Sequence, residues 1–528
     1  MNILVNGVWK EGYLDQALLD QTIRIKTLAW FNICKLDELY FVPKKSWRLI
    51  FNYIREIGVK SVIHKVISRI QESARNEKYL SFGMGIVIET KSSLFQIKDT
   101  VIFSALCHPQ CMERIVISEN LVNHCQDPWI NETSSDDEIL FGKVKLDKKD
   151  CDLLFQYRGW SDYSGIVLPN HLKKNINFIF NKVKNELENI TVSKFPSSKN
   201  ALPHERHMQS VIPNKTKLKA ELYGYGQYAK TIILPSIKKL VHLSCIHEID
   251  PTQLPVKKNK NIIYDSSPEM RNNDHNDVCF IASYHHTHAG LAINALQSGK
   301  SAIVEKPIAT TWEDLKRLLH TMKTSKMPLY SCFHKRYSVF NKYIYKDLEI
   351  SSGDPISFHC IVYEVPLPKL HWYTWPNSGS RLLSNGCHWI DYFLFLNNFA
   401  PVLHYSIQLA KKGDVSVLIE LENHAVFTMT LTEIGSSRIG LREHIELRAN
   451  KNTVTITDGC QYNAENQSRI IRKIKTKRLS VYQRMYRDII QGILEKKLGD
   501  SIESVERSCS LILSLEDCYQ ATHHQPLN

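Results

Sequence analysis

The sequence predicts an α/β protein in which a doubly wound parallel-sheet domain is followed by an α+β domain and preceded by a β-rich unit. Three observations predict it. Lys217 to Leu240 (KLKAELYGYGQYAKTIILPSIKKL) reads as a strand, a glycine-rich turn and an amphipathic helix, and strand and helix patterns then alternate to about residue 337. From Ile356 to Ile456, Val, Ile, Leu, Phe and Thr alternate with polar residues at the period of two that half-buried strands require. From Phe82 to Val122 the same alternation returns in short runs.

The chain has 528 residues, 43% of them apolar. At roughly 100 to 200 residues per domain this length predicts about three domains. We divide it into 1–125, a β-rich domain whose segment Ser46–Arg75 is helical by its three-to-four spacing; 126–216, a linker region with one helix at Leu172–Ile190; 217–337, the parallel-sheet domain; and 338–528, the α+β domain. No stretch approaches the ~18 consecutive apolar residues of a membrane span, and the first residues show no signal-peptide pattern. Thirteen cysteines without a CxxC pair argue against a disulfide framework, so a cytoplasmic location is expected. The formal charge of +13 is spread along the chain. Its densest run, Arg472 to Arg478, has no interleaved aromatic residues, so nucleic acid is not an expected partner. Cys107, His108 and Cys111 form a metal-like cluster without a downstream pair, and no residue is assigned to a metal.

The turn Gly224-x-Gly226-x-x-Ala229 carries the first chemistry. Its first glycine permits a tight turn, its second leaves room for a pyrophosphate against the backbone, and the small Ala229 lets helix pack close on strand. A diphosphate there meets the free N–H groups of the helix start, around Gln227 and Tyr228. The next strand ends in Glu248, with Asp250 as the other candidate, about twenty residues on, where an acid binds the ribose hydroxyls. An acid disfavours a 2′-phosphate, which predicts NAD over NADP.

Beyond Asp277 the string IASYHHTHAGLAINALQSGKSAIVEKP, then CFHKRYSVF, then SRLLSNGCHWIDYFLFL resembles the Gfo/Idh/MocA family of NAD(P)-dependent oxidoreductases over about residues 219 to 520. The resemblance implies a Rossmann-type nucleotide domain and a second domain with an open, mainly antiparallel sheet that pairs subunits, hence a homo-oligomer. It also implies that Lys306 of Glu305-Lys306-Pro307 lies beside the nicotinamide and that His388 is catalytic. Tyr284 and His288 would approach the cofactor, while His286, Arg336 and Trp375 would lie in segments that line the pocket. In the family an Asp commonly stands four residues before the histidine; here that place holds Ser384, followed by Asn385. Asp391 could supply the missing carboxylate or serve an ordinary helix-surface role. Residues FGMGIVIET, LFQIKDTVIFSA and CMERIVISENLV resemble the GroES-like half of medium-chain zinc alcohol dehydrogenases, which implies a GroES-like N-terminal domain in a fused form of the family.

These implications combine into an NAD(P)-dependent oxidoreductase acting on a hydroxyl or keto group of a sugar, sugar nucleotide or cyclitol, in cell-surface polysaccharide synthesis. Lys306, its pKa lowered by burial and the cationic ring, and His388, titrating near neutrality, share the proton transfer. Two alternatives stay open: an inactive nucleotide- or sugar-binding pseudoenzyme, suggested by Ser384, and an NAD-dependent glycosidase without net redox change.

Overall fold

A computed structural model describes residues 2–5, 8–11, 22–35, 79–104, 113–118, 122–125, 138–144, 187–194, 217–248, 261–265, 276–367, 373, 376–410, 413–435 and 440–523. The expected helix at 46–75, the Cys107/His108/Cys111 cluster, Asp250 and Trp375 lie outside these residues.

In the N-terminal part β1 (Asn2–Val5) and β2 (Val8–Glu11) pair as a hairpin. A larger sheet is built from β3 (Thr22–Lys35), β4 (Tyr79–Thr90), β5 (Thr100–Ser104), β6 (Arg114–Ser118), β7 (Val122–His124), β8 (Glu138–Val144) and β9 (Leu187–Lys194), in the order β7-β5-β4-β3-β8-β9 with β6 on β3. The long strands β3 and β4 bury Ile23, Ile25, Trp30, Met84 and Val87 along their shared length. Strands β8 and β9 come from the stretch expected as linker, so the sheet draws that stretch into itself. Residues 187–190, expected to end a helix, are instead strand, because Leu187 to Lys194 finds an antiparallel partner in Glu138 to Val144. Intrinsic helix preference yields to such a partner.

The nucleotide domain is a six-stranded parallel sheet of β10 (Lys219–Tyr223), β11 (His242–His247), β12 (Ile263–Asp265), β13 (Val278–Ile281), β14 (Ser301–Val304) and β15 (Leu329–Ser331). Their order, β12-β11-β10-β13-β14-β15, is the 3-2-1-4-5-6 arrangement of a Rossmann fold, and the direction of winding reverses between β10 and β13. Every residue of β13 and β14 is buried, as a parallel strand covered on both faces demands. A π-helical turn (Ala229–Ile233) leads into α1 (Leu234–Ile237) after β10, and α2 (His288–Gln297) and α3 (Trp312–Thr324) follow β13 and β14. Thr311 starts α3 as its N-cap, its hydroxyl accepting the Asp314 N–H. The Lys306–Pro307 peptide bond is cis.

After α4 (Asn341–Leu348) the second domain opens with β16 (Ser357–Tyr363), and α5 (Cys387–Leu396) follows a π-helical turn at Leu382–Gly386. The sheet is completed by β17 (Val402–Leu409), β18 (Val415–Leu421), β19 (Val426–Thr432), β20 (Arg442–Ala449), β21 (Asn452–Thr457), β22 (Gln461–Glu465) and β23 (Ile470–Lys475). Its order is β17-β18-β19-β16-β20-β21-β22-β23, antiparallel except for the β16–β19 pair. In β18, β19 and β21 alternate residues are buried, so one face packs on α5 and its neighbours. Two helices end the described chain, α6 (Ser480–Leu494) and α7 (Ile502–His523). Helix α6 returns to the nucleotide domain: Met485, Tyr486, Ile489 and Ile490 pack with Ala220, Leu222, Phe280 and Ile303 in one core. Helix α7 packs on α3, α5 and β17. Among the described residues no helix is long and apolar enough to cross a membrane.

Candidate functional site

The site lies where the winding of the parallel sheet reverses, the place where such sheets bind ligands. Gly224 ends β10 with φ of +91°, and a Cβ there would stand 2.3 Å from the Ala282 carbonyl oxygen. Both conditions require glycine. At Gly226 an added Cβ would meet nothing within 4 Å, so open space fronts the turn. Glu248, at the end of β11 and buried, accepts the Tyr225 N–H at 2.7 Å, which draws the acid against the turn. These features fit a dinucleotide.

A cavity of about 450 Å³ continues from Tyr228 on this turn to the face of the second sheet at Glu443 and Asp458. Lys306 and His388 both line it, together with His288 and Glu305. Lys306 Nζ donates to Ser384 O at 2.7 Å and to Asn385 Oδ1 at 2.9 Å. Burial opposes its charge, yet the surrounding groups, Tyr373, Cys387, Glu305 and Tyr482, together outweigh burial and raise its pKa above the ordinary lysine value. Without the cationic ring beside it, Lys306 is therefore an ammonium ion at neutral pH.

The expectation that His388 titrates near neutrality is corrected. Burial first, then the neighbouring His334, Lys306 and Lys335, pushes its pKa well below the usual imidazole value, so it is neutral at pH 7. Its Nδ1 is buried without a hydrogen-bond partner among the described residues. The ring meets that of His334 at 4.4 Å and 72°, and His334 in turn lies 4.6 Å from the Tyr482 ring. His334 is neutral for the same reasons, burial and then Lys335, Lys306 and Arg478, and its Nδ1 also lacks a hydrogen-bond partner among the described residues.

Glu305 does not hydrogen-bond Lys306. It accepts the Tyr486 hydroxyl, so the acid beside the lysine is anchored to α6. Its proton affinity is raised, chiefly by burial. His288 Nδ1 lies 2.7 Å from Pro307 O, and burial holds its pKa down to about 4. As a neutral ring donating that bond, it pins the loop carrying Lys306. Tyr284 and His286 stack on each other outside the cavity lining.

Two expected pocket residues are elsewhere. Arg336 is buried in a bidentate bond to Asp391, at 3.0 and 2.5 Å, and reaches Asp500 at 3.3 Å. Asp391 also accepts Ser508 Oγ at 2.7 Å, so it is committed to joining α5 and α7 and does not replace the missing carboxylate near His388. In place of Arg336 the preceding residue, Lys335, lines the cavity, paired to Glu443 at 2.5 Å. His334, Lys335, Glu443 and Arg478 are among the cavity residues that the sequence did not reveal, since each reaches the site from an element whose packing is set by distant partners. The basic run ending at Arg478 was visible, but not that its last residue would enter the site.

The deciding observation is the glycine turn at the switch point of a 3-2-1-4-5-6 sheet, followed in order by Glu305-Lys306-Pro307. Residues 219–333 match the Gfo/Idh/MocA oxidoreductase family, NAD-binding Rossmann fold. Inositol 2-dehydrogenase 1 of Saccharopolyspora erythraea is 30% identical over 87 residues, which are 16% of this chain and span only 26% of that protein's length. The fold is also similar to that of the WlbA dehydrogenase from Chromobacterium violaceum, solved with NADH and UDP-GlcNAcA, at 15% identity and a TM-score of 0.48 over 60% of this chain and 98% of that one. A levoglucosan dehydrogenase solved with NADH gives 17% identity and a TM-score of 0.48 over 58% of this chain and 97% of that one.

Proposed function

We propose that the chain is an NAD(P)-dependent oxidoreductase that moves hydride between nicotinamide and a hydroxyl or keto group of a sugar, sugar nucleotide or cyclitol. The meeting of Lys306 and His388 in one cavity beside the glycine turn carries this reading. Gly224, Gly226, Gln227, Tyr228 and Ala229 would hold the diphosphate, and Glu248 the ribose. Tyr284, His288, Glu305, Lys306 and Pro307 would flank the nicotinamide end. When bound, the cofactor supplies the hydride acceptor or donor.

The two side chains divide the remaining work. Among the described residues Lys306 has two acceptors, Ser384 O and Asn385 Oδ1, which leaves its third N–H for a substrate oxygen. An ammonium at that oxygen favours the alkoxide and stabilises the charge that develops on it. Neutral His388 can take the hydroxyl proton as the carbinol is oxidised and return it in the reverse direction. The acid at Glu248 would repel a 2′-phosphate, so NAD is the preferred cofactor. Cell-surface polysaccharide synthesis in the cytoplasm, a homo-oligomer and a GroES-like N-terminal domain complete the proposal.

A second reading is an inactive nucleotide- or sugar-binding protein. Ser384 favours it: this residue stands four before His388 and, being serine, gives the imidazole no carboxylate, and its buried hydroxyl has no hydrogen-bond partner among the described residues. Fluorescence titration with NADH and NADPH, repeated on Gly226→Asp, tests the first reading. The open space at Gly226 lets the variant fold while its side chain blocks the diphosphate. Saturable binding lost in the variant is expected; no binding by the wild type would overturn the assignment. Turnover of sugar nucleotides or cyclitols that disappears in Lys306→Ala separates the active reading from the inactive one.

A further inference from the structure

Two imidazoles meet edge to face in the cavity. His334 opens the short helical turn His334–Tyr337 and His388 lies at the start of α5, with ring centroids 4.4 Å apart at 72°. In each ring Nδ1 is buried without a hydrogen-bond partner among the described residues, so Nε2 is the nitrogen each has for the cavity that both line. The contact is held from behind. Arg336 grips Asp391 of α5 at 3.0 and 2.5 Å. The Lys335 ammonium and the Trp389 indole both donate to Glu443 Oε2, at 2.5 Å each. Asn341 Nδ2 donates to Lys335 O at 3.0 Å and to Arg336 O at 2.9 Å, while its Oδ1 accepts the Tyr392 hydroxyl at 2.8 Å. The turn bearing His334 is thus fastened to the residues of α5 that come just after His388.

Packing alone does not account for a histidine at position 334. A buried polar atom without a partner costs free energy that a phenylalanine of similar shape would avoid. A fixed pair of rings, each with one nitrogen for the same space, can instead hold two neighbouring polar atoms of one ligand in a set geometry. Both rings are neutral, burial being the chief cause. A neutral imidazole nitrogen either accepts or donates, and a hydroxyl does both, so either tautomer is served. We propose that His334 is a substrate-contacting, specificity-determining residue: while Lys306 and His388 meet the reacting oxygen, His334 takes the hydroxyl on the adjacent carbon, so that the site selects a vicinal diol. The proposal rests on the reading of His388 as the group at the reacting hydroxyl.

The test follows the ring resonances of His334 and His388 by NMR in the full-length protein with isotope-labelled histidine, with and without NADH. The diol probes are myo-inositol and UDP-glucose. The control is a cyclohexanetriol with hydroxyls on alternate carbons, which offers no adjacent pair. With at least one diol probe both ring signals should move together along one saturation curve, and the control should bind roughly 10-fold more weakly, the worth of one hydrogen bond. His359 should stay still, since its ring lies 2.7 Å from Thr428 Oγ1 and outside the cavity.

No movement of the rings with either diol, movement of His388 alone, or an equal response to the control overturns the proposal. Two variants, read through His388, separate binding from packing. His334→Gln keeps a polar atom near the place of Nε2 and should retain the preference for the diol, whereas His334→Phe keeps the ring contact and should lose it. The reverse pattern would show a residue that only packs, and it overturns the proposal. Each variant decides by itself, so a failure of one to fold leaves the other. NADH binding by the same preparations, read by fluorescence, reports separately on the oxidoreductase reading: its absence beside an intact ring response would defeat that reading and leave His334 as a contact for a polyol.

Discussion

Lys306 and His388 are opposite cases of one physical rule. Burial penalises charge in both, but Lys306 is surrounded by oxygen acceptors and groups that favour its charge, whereas His388 is surrounded by cations. Removing the proton acceptor with His388→Asn should lower kcat by about 10²- to 10⁴-fold, the usual contribution of a general base, with a much smaller change in NADH affinity. The neutral histidines also make stability depend on pH. His286 and His288 have pKa values lowered to about 4, so between the unfolded imidazole value of 6.5 and that point the unfolded chain binds more protons than the folded one. Stability must fall as pH falls through this window, at up to ~1.4 kcal/mol per pH unit for each group. Urea midpoints measured from pH 7 to pH 5 should decline less steeply in His288→Asn than in wild type. At this scale legibility followed distance in sequence. Glu305-Lys306-Pro307 and the glycine turn are contiguous and could be read. Arg336 and Asp391 were misplaced because their partners, each other and the distant Asp500 and Ser508, are joined only by folding.

Between elements, the nucleotide sheet hides a charge pair. Lys300, at the start of β14, donates to Glu221 of β10 at 2.7 Å, and both are almost wholly buried. His247 of β11 approaches the same carboxylate at 3.4 Å, and the neighbouring donors hold the Glu221 pKa down in spite of burial. Lys300→Met leaves that carboxylate without its main partner and should cost about 3–5 kcal/mol. Adding Glu221→Gln should recover part of it, as equilibrium denaturation would measure. Element types were legible where a pattern repeated: the period-two runs of β18 to β21 all begin within Ile356 to Ile456, where alternation predicted strands. The fate of Leu187 to Lys194 was not, because a strand exists only with its partner, and Glu138 to Val144 lies more than forty residues earlier.

Across the whole molecule the division at residue 337 is a division of sequence more than of structure. The face of the nucleotide sheet presented by Ala220, Leu222, Phe280 and Ile303 is covered by α6, some 150 residues beyond that boundary. A fragment of residues 217–337 should therefore bind the dye ANS and fail to bind NADH, whereas the intact chain does the reverse; a folded, NADH-binding fragment would refute this account. The helix pattern of α6 was readable, but the covered surface became specific only when its residues were seen against β10 and β13.

The return of α6 also imposes an order on biosynthesis. A chain emerging from the ribosome displays its glycine turn early, but the layer behind that turn cannot close until Tyr486 has been made. At about 5–20 residues per second this delay lasts roughly 13 to 52 s. Throughout it an apolar sheet face stands open to water, so the nascent protein should depend on holding chaperones through that interval, and the capacity to bind dinucleotide should appear only once Tyr486 has left the ribosome.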